Sequence, residues 1–492
     1  MFFKSVWQSF MATTAIAAPA PDITELFGPY LSSGASILLA SDANYSAAIP
    51  QRWSNFAAPS YIATIKPAIV EDVQNIVRIA SSSGVPFLAT GGSHGVSIQL
   101  GGLQGGVQID LSNFNTVQFN HSTALLTIGG ATKFSDLIDP LYKYGYQFPI
   151  GTAPCVGVVG ATLGGGISPN QGYMGLLIDL LKEAQVVTST GDVVTASRHE
   201  NPDLFWALRG AGPNFGIVTS ATYKVPKAIN NGNVTNASYL FASSQKQALY
   251  EYMASMDDDM SAFLAVNLGT IIDPESGQTV LIISANFAGP VSVAKKYMAP
   301  LDALSPLQSE IISVPWPDVF RTSYFGMEDR HACTRNQHVN MRSIAAKRTD
   351  PQFAVQFIPE LERFTSAHPG VMTTFMIHRF PTQKVLQVPD EDSSYPHRDL
   401  KMHIQIESTY DDPSNDAAVS EFVDAARRNF TAVSGYDGTT VYLGFAHGDE
   451  DPAAYYGARN LRRLGELKRK WDPQGIFSFY DVVPMGPSGV EL

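Results

Sequence analysis

Hydrophobic and polar positions set a short-period pattern over the first half of the chain. Residues 61–65 read as a strand. Val73, Ile76, Val77 and Ala80 then fall on one face of a helix over 71–80, which Ser83-Gly84 ends. A buried strand over 85–89 leads into glycines spread over 91–106, and further strands are predicted over 106–111 and 125–128. Segments 184–188 and 193–195 flank Gly191-Asp192, a hairpin signal. The polar run Asn230-Asn231-Gly232-Asn233 marks a domain boundary. Beyond it, strands over 279–285, 371–378 and 401–406 alternate with helices such as 417–429, which predicts an antiparallel sheet covered by helices. The tail from Tyr442 has no core of its own and is expected to pack back on the first domain. The fold class is α+β, and no internal repeat is evident.

Length and charge narrow the partners. At about 150 residues per domain, 492 residues make two or three domains. A net charge of −12 argues against nucleic acid, whose binding rests on neutralising phosphates. The basic cluster Arg459, Arg462, Arg463, Lys468, Arg469 and Lys470 carries leucines at 461, 464 and 467. It therefore reads as an amphipathic helix with a solvated basic face. No later segment reaches 18 apolar residues, so no membrane span is expected. Residues 1–20, with Lys4, an apolar stretch and Ala15-Ile16-Ala17-Ala18, have the order of a secretory signal. The sequons at Asn44, Asn120, Asn233, Asn236 and Asn429 fit an extracellular or secretory route. Cys155 and Cys333 are the only cysteines. They make no disulfide scaffold, the spacing of Cys and His suggests no metal site, and their pairing is left open.

The candidate chemistry lies in three glycine-rich stretches, each beside a strand: Thr90-Gly91-Gly92-Ser93-His94-Gly95, residues 151–166, and residues 208–218. Glycines let a backbone approach a ligand closely and aim successive N–H groups at phosphate oxygens. No Gly-Lys-Ser/Thr follows, and the spacing and distal acid of a dinucleotide fingerprint are missing. Three such stretches in order point to one phosphate-bearing cofactor.

The run Asp203-Leu204-Phe205-Trp206-Ala207-Leu208-Arg209-Gly210-Ala211-Gly212, continuing through Asn214-Phe215-Gly216-Ile217-Val218-Thr219, carries a resemblance. So do Tyr455-Tyr456-Gly457, Leu464, Leu467-Lys468 and Trp471-Asp472-Pro473 to Phe477, with Pro396-His397-Arg398 as the middle anchor. The segment 56–227 resembles the PCMH-type FAD-binding domain of the vanillyl-alcohol-oxidase superfamily, in particular the berberine-bridge-enzyme-like oxidoreductases of fungi. The resemblance implies an FAD-binding domain over 21–230, a substrate-binding domain over 231–439, and a segment over 440–492 that returns to the first.

It also implies roles. His94 takes the place of a histidine bonded to the flavin 8α-methyl group. Many relatives add a cysteine tether, but Ala153 stands there and the cysteine lies two positions on, at Cys155. An extended chain advances about 3.3 Å per residue, so that sulfur is displaced by several ångströms. A single covalent link through His94 is expected, with Cys155 a small buried apolar side chain. Val156 matches an oxygen-gating position at which valine goes with oxidases. Asn214, Gly216, Ile217 and Val218 should line the adenine and pyrophosphate end, the Val218 backbone contacting adenine. Gly91, Gly92, Ser93, Gly95, Gly151, Thr152, Gly157, Gly160, Gly164 and Gly166 complete the expected FAD contacts. Ala161 replaces a frequent histidine.

For catalysis, the relatives' Tyr-x-Asn-Tyr segment becomes Tyr442-Leu443-Gly444-Phe445, which keeps only the first tyrosine, and their Glu or Gln falls at Gln405. Glutamine is no base, and a tyrosine with a pKa of about 10 needs help to act as one. His378, His403 and Glu407 stay open as proton acceptors. The expected function is two-electron oxidation of a small organic substrate, with O2 reduced to H2O2. A secondary-metabolite alcohol is favoured over a sugar oxidised at its anomeric carbon or a secreted flavoprotein without turnover. A monomer is expected.

Overall fold

The computed structural model describes residues 22–273, 276–327 and 332–486. The expected signal segment, 1–20, lies outside them. Two sheets build the first part of the chain. Strands Tyr61–Lys66, Gly106–Asp110 and Phe87–Thr90 run parallel, and Ser36–Leu39 closes one edge antiparallel. The helix Val70–Ser83 crosses over from Tyr61–Lys66 to Phe87–Thr90, which run parallel on either side of Gly106–Asp110. Its predicted face, Val73, Ile76, Val77 and Ala80, is fully buried with Ile65, Val107 and Ile109. Gly84, at φ 67°, ends it in the left-handed conformation that a side chain would strain.

The second sheet is antiparallel, ordered Val117–Asn120, Leu125–Gly129, Ile217–Lys224, Leu181–Val187, Val193–Ser197. The expected hairpin around Gly191 forms its edge, with Val187 opposite Val193.

Residues 233–409 contribute a seven-stranded antiparallel sheet: Gln308–Pro315, Asn233–Ala242, Thr279–Phe287, Leu264–Ile272, Met372–Arg379, Met402–Thr409, Val339–Ala345. Side chains alternate across a strand. One face, with Leu268, Ile283, Ile344, Phe375, Ile377, Ile404 and Ile406, is buried beneath helices Lys246–Ser255, Val291–Asp302, Pro351–Ala367 and Asp416–Val433. The other face carries Asn267, His378, His403, Gln405 and Glu407, and cross-strand register sets His378 opposite both Asn267 and His403. Helices on one side thus leave the polar side toward the first domain.

Buried ion pairs fasten the parts. In helix Pro202–Ala211, Arg209 bonds Asp392 at 2.8 Å and lies 4.3 Å over the Phe205 ring. Arg398 reaches Asp179 at 2.9 Å with both side chains buried. The tail helix Ala458–Trp471 corrects one expectation: the basic cluster is not wholly solvated. Lys468 is fully buried and donates to Asp472 Oδ2, Asn214 O and Phe477 O at 2.7–2.8 Å. Arg463 lies 3.9 Å over the Trp206 ring, and Arg459 and Lys470 pair with Asp390 and Asp203. Helical spacing reveals a polar face without showing what faces it.

Two further expectations change. Asn236 is buried and donates to Val319 O at 2.9 Å, so its sequon is closed to modification in the folded chain. Cys155 is not an isolated apolar side chain; it forms a disulfide with Cys333. Burial holds the Lys468 pKa below that of a free lysine, with Asp472 opposing. Removing one member of such a pair strands the other charge. Lys468→Met is therefore expected to destabilise the protein by about 3–5 kcal/mol, read from denaturant unfolding.

Candidate active site

The three glycine-rich stretches meet through glycines. A Cβ on Gly91 would stand 2.8 Å from Gly130 O, one on Gly92 would collide with the Gly157 backbone nitrogen, and one on Gly130 would collide with Val218 O. Several glycines therefore serve backbone–backbone approach as well as any ligand. The result is a cavity of about 490 Å³ between the first domain and the polar face of the seven-stranded sheet.

Its wall includes Gly91, Gly92, Ser93, His94, Gly95, Gly151, Thr152, Val156, Gly157, Gly160, Ala161, Gly164, Gly216, Ile217 and Val218, with Gln405 and Tyr442. Two expected contacts lie off it. Gly166, at φ 76°, packs on Leu177. Asn214 is buried, donates to Tyr456 Oη at 2.8 Å and accepts from Val483 N at 2.8 Å, which clamps the tail rather than a ligand. Ala153 lines the cavity, whereas Cys155 is turned to Cys333.

His94 stacks on Trp53 with ring centroids 4.7 Å apart, and its Nε2 lies 3.2 Å from Ala332 O. Burial pushes its pKa down to about 4, and the Arg335 and Arg52 charges act in the same direction, so the ring is neutral at pH 7. Ser93, at φ 53°, and Trp53 each bring a buried polar atom with no protein partner to this wall, Ser93 Oγ and Trp53 Nε1. Such atoms want a ligand or water.

The roof holds Met341, Thr374, Met376, His378, Phe380, Gln405 and Glu407. His378 is held at both nitrogens: Nδ1 lies 2.9 Å from Asn267 Oδ1 and Nε2 2.8 Å from Gln405 Oε1. A neutral imidazole has one N–H, so one of these amides turns its NH2 group to the ring. Burial lowers the His378 pKa. His403, expected among the open candidates, lies off the wall with both ring nitrogens unpartnered, and burial drives its pKa to about 3. Tyr442 lines the wall, but its hydroxyl is already engaged by the backbone. Its hydroxyl accepts from Gly166 N at 3.2 Å and donates to Ala161 O at 3.3 Å, and burial raises its pKa to about 12. It braces the glycine-rich helix and is a poor base.

The comparisons carry the same assignment. Residues 61–197 match an FAD binding domain and residues 441–484 a domain described as berberine and berberine like. The FAD-linked oxidoreductase tazG of Aspergillus terreus is 42% identical over 98% of both chains. The chain belongs to the berberine-bridge-enzyme-like FAD-linked oxidoreductases. Among solved structures, Physcomitrella patens BBE-like 1 superimposes with a TM-score of 0.81 at 22% identity, covering 94% of this chain and 99% of that one. Glucooligosaccharide oxidase from Acremonium strictum, described with a 6-S-cysteinyl, 8α-N1-histidyl FAD, superimposes at 0.80 with 21% identity over 94% and 99%. These likenesses show the fold.

The unpartnered Ser93 Oγ and the backbone cradle fit FAD, and the stretches around His94, Gly157 and Val218 would hold it. Sequence reasoning missed Trp53 and the Ala332–Arg335 loop. Only the presence of a second cysteine, Cys333, hinted at the loop. Gly92→Ala must push the 91–95 and 156–157 loops apart. We expect it to cost about 1–3 kcal/mol of stability and at least tenfold in FAD retention, read from the flavin absorbance of purified protein.

Proposed function

We propose that this oxidoreductase is an oxidase that carries FAD on His94 by a single covalent bond and oxidises an aromatic or polyketide-type alcohol. The observation that carries this reading is the continuous cavity from the His94 cradle to a roof of alternating apolar and polar side chains. FAD supplies the two-electron acceptor, and O2 takes the electrons on as H2O2. Val156, on the wall, leaves room for oxygen where a larger side chain would not.

His378 accepts the substrate proton on the ring nitrogen that faces an amide NH2 group, once that amide of Asn267 or Gln405 turns aside for the substrate. Phe445 stands where the family's second tyrosine would be and cannot take a proton; His378 packs against it with ring centroids 6.3 Å apart. Gln405 and Asn267 fix the imidazole plane, so the ring is oriented before substrate arrives. Met341, Met376, Phe380, Phe445 and Ile167 interrupt the polar groups of the chamber. A sugar, with a hydroxyl on nearly every carbon, would leave many of those hydroxyls unpaired against such walls. A flat, sparsely hydroxylated molecule fits better. We further assign the chain to the secretory route. The 1–20 segment, the exposed sequons Asn44, Asn120 and Asn429, and the disulfide, which persists in oxidising compartments, support it.

Anaerobic flavin bleaching and peroxide release with aromatic alcohols, polyketide alcohols and oligosaccharides test the reading. Bleaching by sugars alone would replace the substrate class, and bleaching by none would overturn oxidation of these classes. Acid precipitation should leave the yellow colour in the pellet, and His94→Ala should release it to the supernatant.

With a substrate in hand, His378→Ala should slow flavin reduction by about 10²-fold or more while FAD stays bound. A base works only when unprotonated, and the His378 pKa is held below 6.5. Reduction should therefore persist through neutral pH and fall only as pH drops below that value. An acid limb that disappears in Glu407→Gln instead would transfer the role to Glu407.

A further inference from the structure

The loop after residue 331 lies against the segment that holds His94. Asn336 N donates to Arg52 O at 2.7 Å and Gln337 N to Trp53 O at 3.1 Å. Arg335 donates to Gly92 O at 2.8 Å and to Cys155 O at 3.3 Å. Cys333 is bonded to Cys155, and the residue before it, Ala332, offers its carbonyl to His94 Nε2. We propose that the Cys155–Cys333 disulfide makes this loop a clamp that holds His94 in one tautomer and one orientation, with Nδ1 as the nitrogen that bonds the flavin. This rests on the reading that His94 carries covalent FAD.

The chemistry follows from the carbonyl. A carbonyl oxygen only accepts, so the Ala332 carbonyl favours the neutral tautomer with its proton on Nε2 over the one that would turn to the ring's own backbone carbonyl, and that leaves the lone pair on Nδ1. Trp53 stacks on the ring and limits its rotation. The charged groups that face the ring are Arg335 from the loop and Arg52 from the segment before Trp53, and both disfavour an imidazolium. The clamp therefore presents a neutral nucleophile.

Attachment forms the Nδ1–C8α bond and breaks one methyl C–H bond. The methyl group loses one proton and the imidazole loses the Nε2 proton. The C–H electron pair enters the isoalloxazine, and dioxygen removes the pair with two protons as H2O2. As the bond forms, positive charge grows on the imidazole and the Ala332 carbonyl stabilises it through the Nε2–H. The same disulfide ties up the Cys155 sulfur and so keeps the chain to one tether.

The test uses apoprotein made in riboflavin-starved cells, to which FAD is added, with covalent flavin read as fluorescence on a denaturing gel. Wild type should attach FAD at a rate nearly flat from pH 8 to 5.5. The Cys155→Ser/Cys333→Ser double variant should attach it at least tenfold more slowly and gain an acid limb near pH 6.5, because a released loop lets water reach His94. Wild-type apoprotein reduced with dithiothreitol should behave like the variant and recover on reoxidation with glutathione disulfide, which separates the clamp from a folding defect. A variant and a reduced protein that both match wild type in rate and pH profile overturn the clamp alone, as does a slower rate with a flat profile. Wild type without a fluorescent band overturns the His94 linkage and the clamp together.

Discussion

The absence of a Cβ at a few crossing points governs everything else in this molecule. Gly91 against Gly130, Gly92 against Gly157 and Gly130 against Val218 bring four segments, far apart in sequence, to backbone contact. That contact defines the floor of the cavity. Without it, the N–H groups would not converge, and His94 would not meet Trp53 and the Ala332 carbonyl at one wall.

The floor alone makes half a site. The roof is a separate sheet, seated on the floor by apolar clusters such as Ile167, Leu176 and Ile178 with Ala265 and Phe380, and pinned there by ion pairs. Arg398 with Asp179 and Arg209 with Asp392 join the two parts, while Lys468 with Asp472 seats the tail. Such pairs add little net stability relative to apolar packing, but each loses much of its strength when displaced. They suit an interface that must have one geometry. Tyr442 extends the same logic, its hydroxyl locking the tail to Gly166 and Ala161.

Periodicity made the elements legible, and the resemblance added the family. The apolar face of 71–80 and the strands over 371–378 and 401–406 were readable, and the resemblance put Gln405 beside the open candidates His378, His403 and Glu407; that they share one face came from the register. The glycine stretches announced the floor. The roles of the most specific motif residues were not legible. Asn214 read as a cofactor contact, and Arg209 and Gly210 as members of the same glycine-rich stretch, yet they anchor other segments: Arg209 grips Asp392, Gly210 abuts Tyr395, and Asn214 holds the tail. The partner of His94 was equally hidden. It lies 238 residues away and is a main-chain carbonyl, which no side-chain identity advertises. Lys468 was misread for a related reason, since a helical wheel cannot show a pocket built by Asn214, Asp472 and Phe477.

The two-faced roof has a consequence for how such a protein can diverge. Every second residue of Met372–Arg379 and Met402–Thr409 is committed to the helix-packed core, and the intervening ones meet only the chamber and its neighbours on the same face. Substitutions at Thr374, Met376 or Glu407 can therefore reshape the chamber without opening a void among Phe375, Ile404 and Ile406. Stability and selectivity are written in alternate letters of the same strands, so that drift in one need not be compensated in the other.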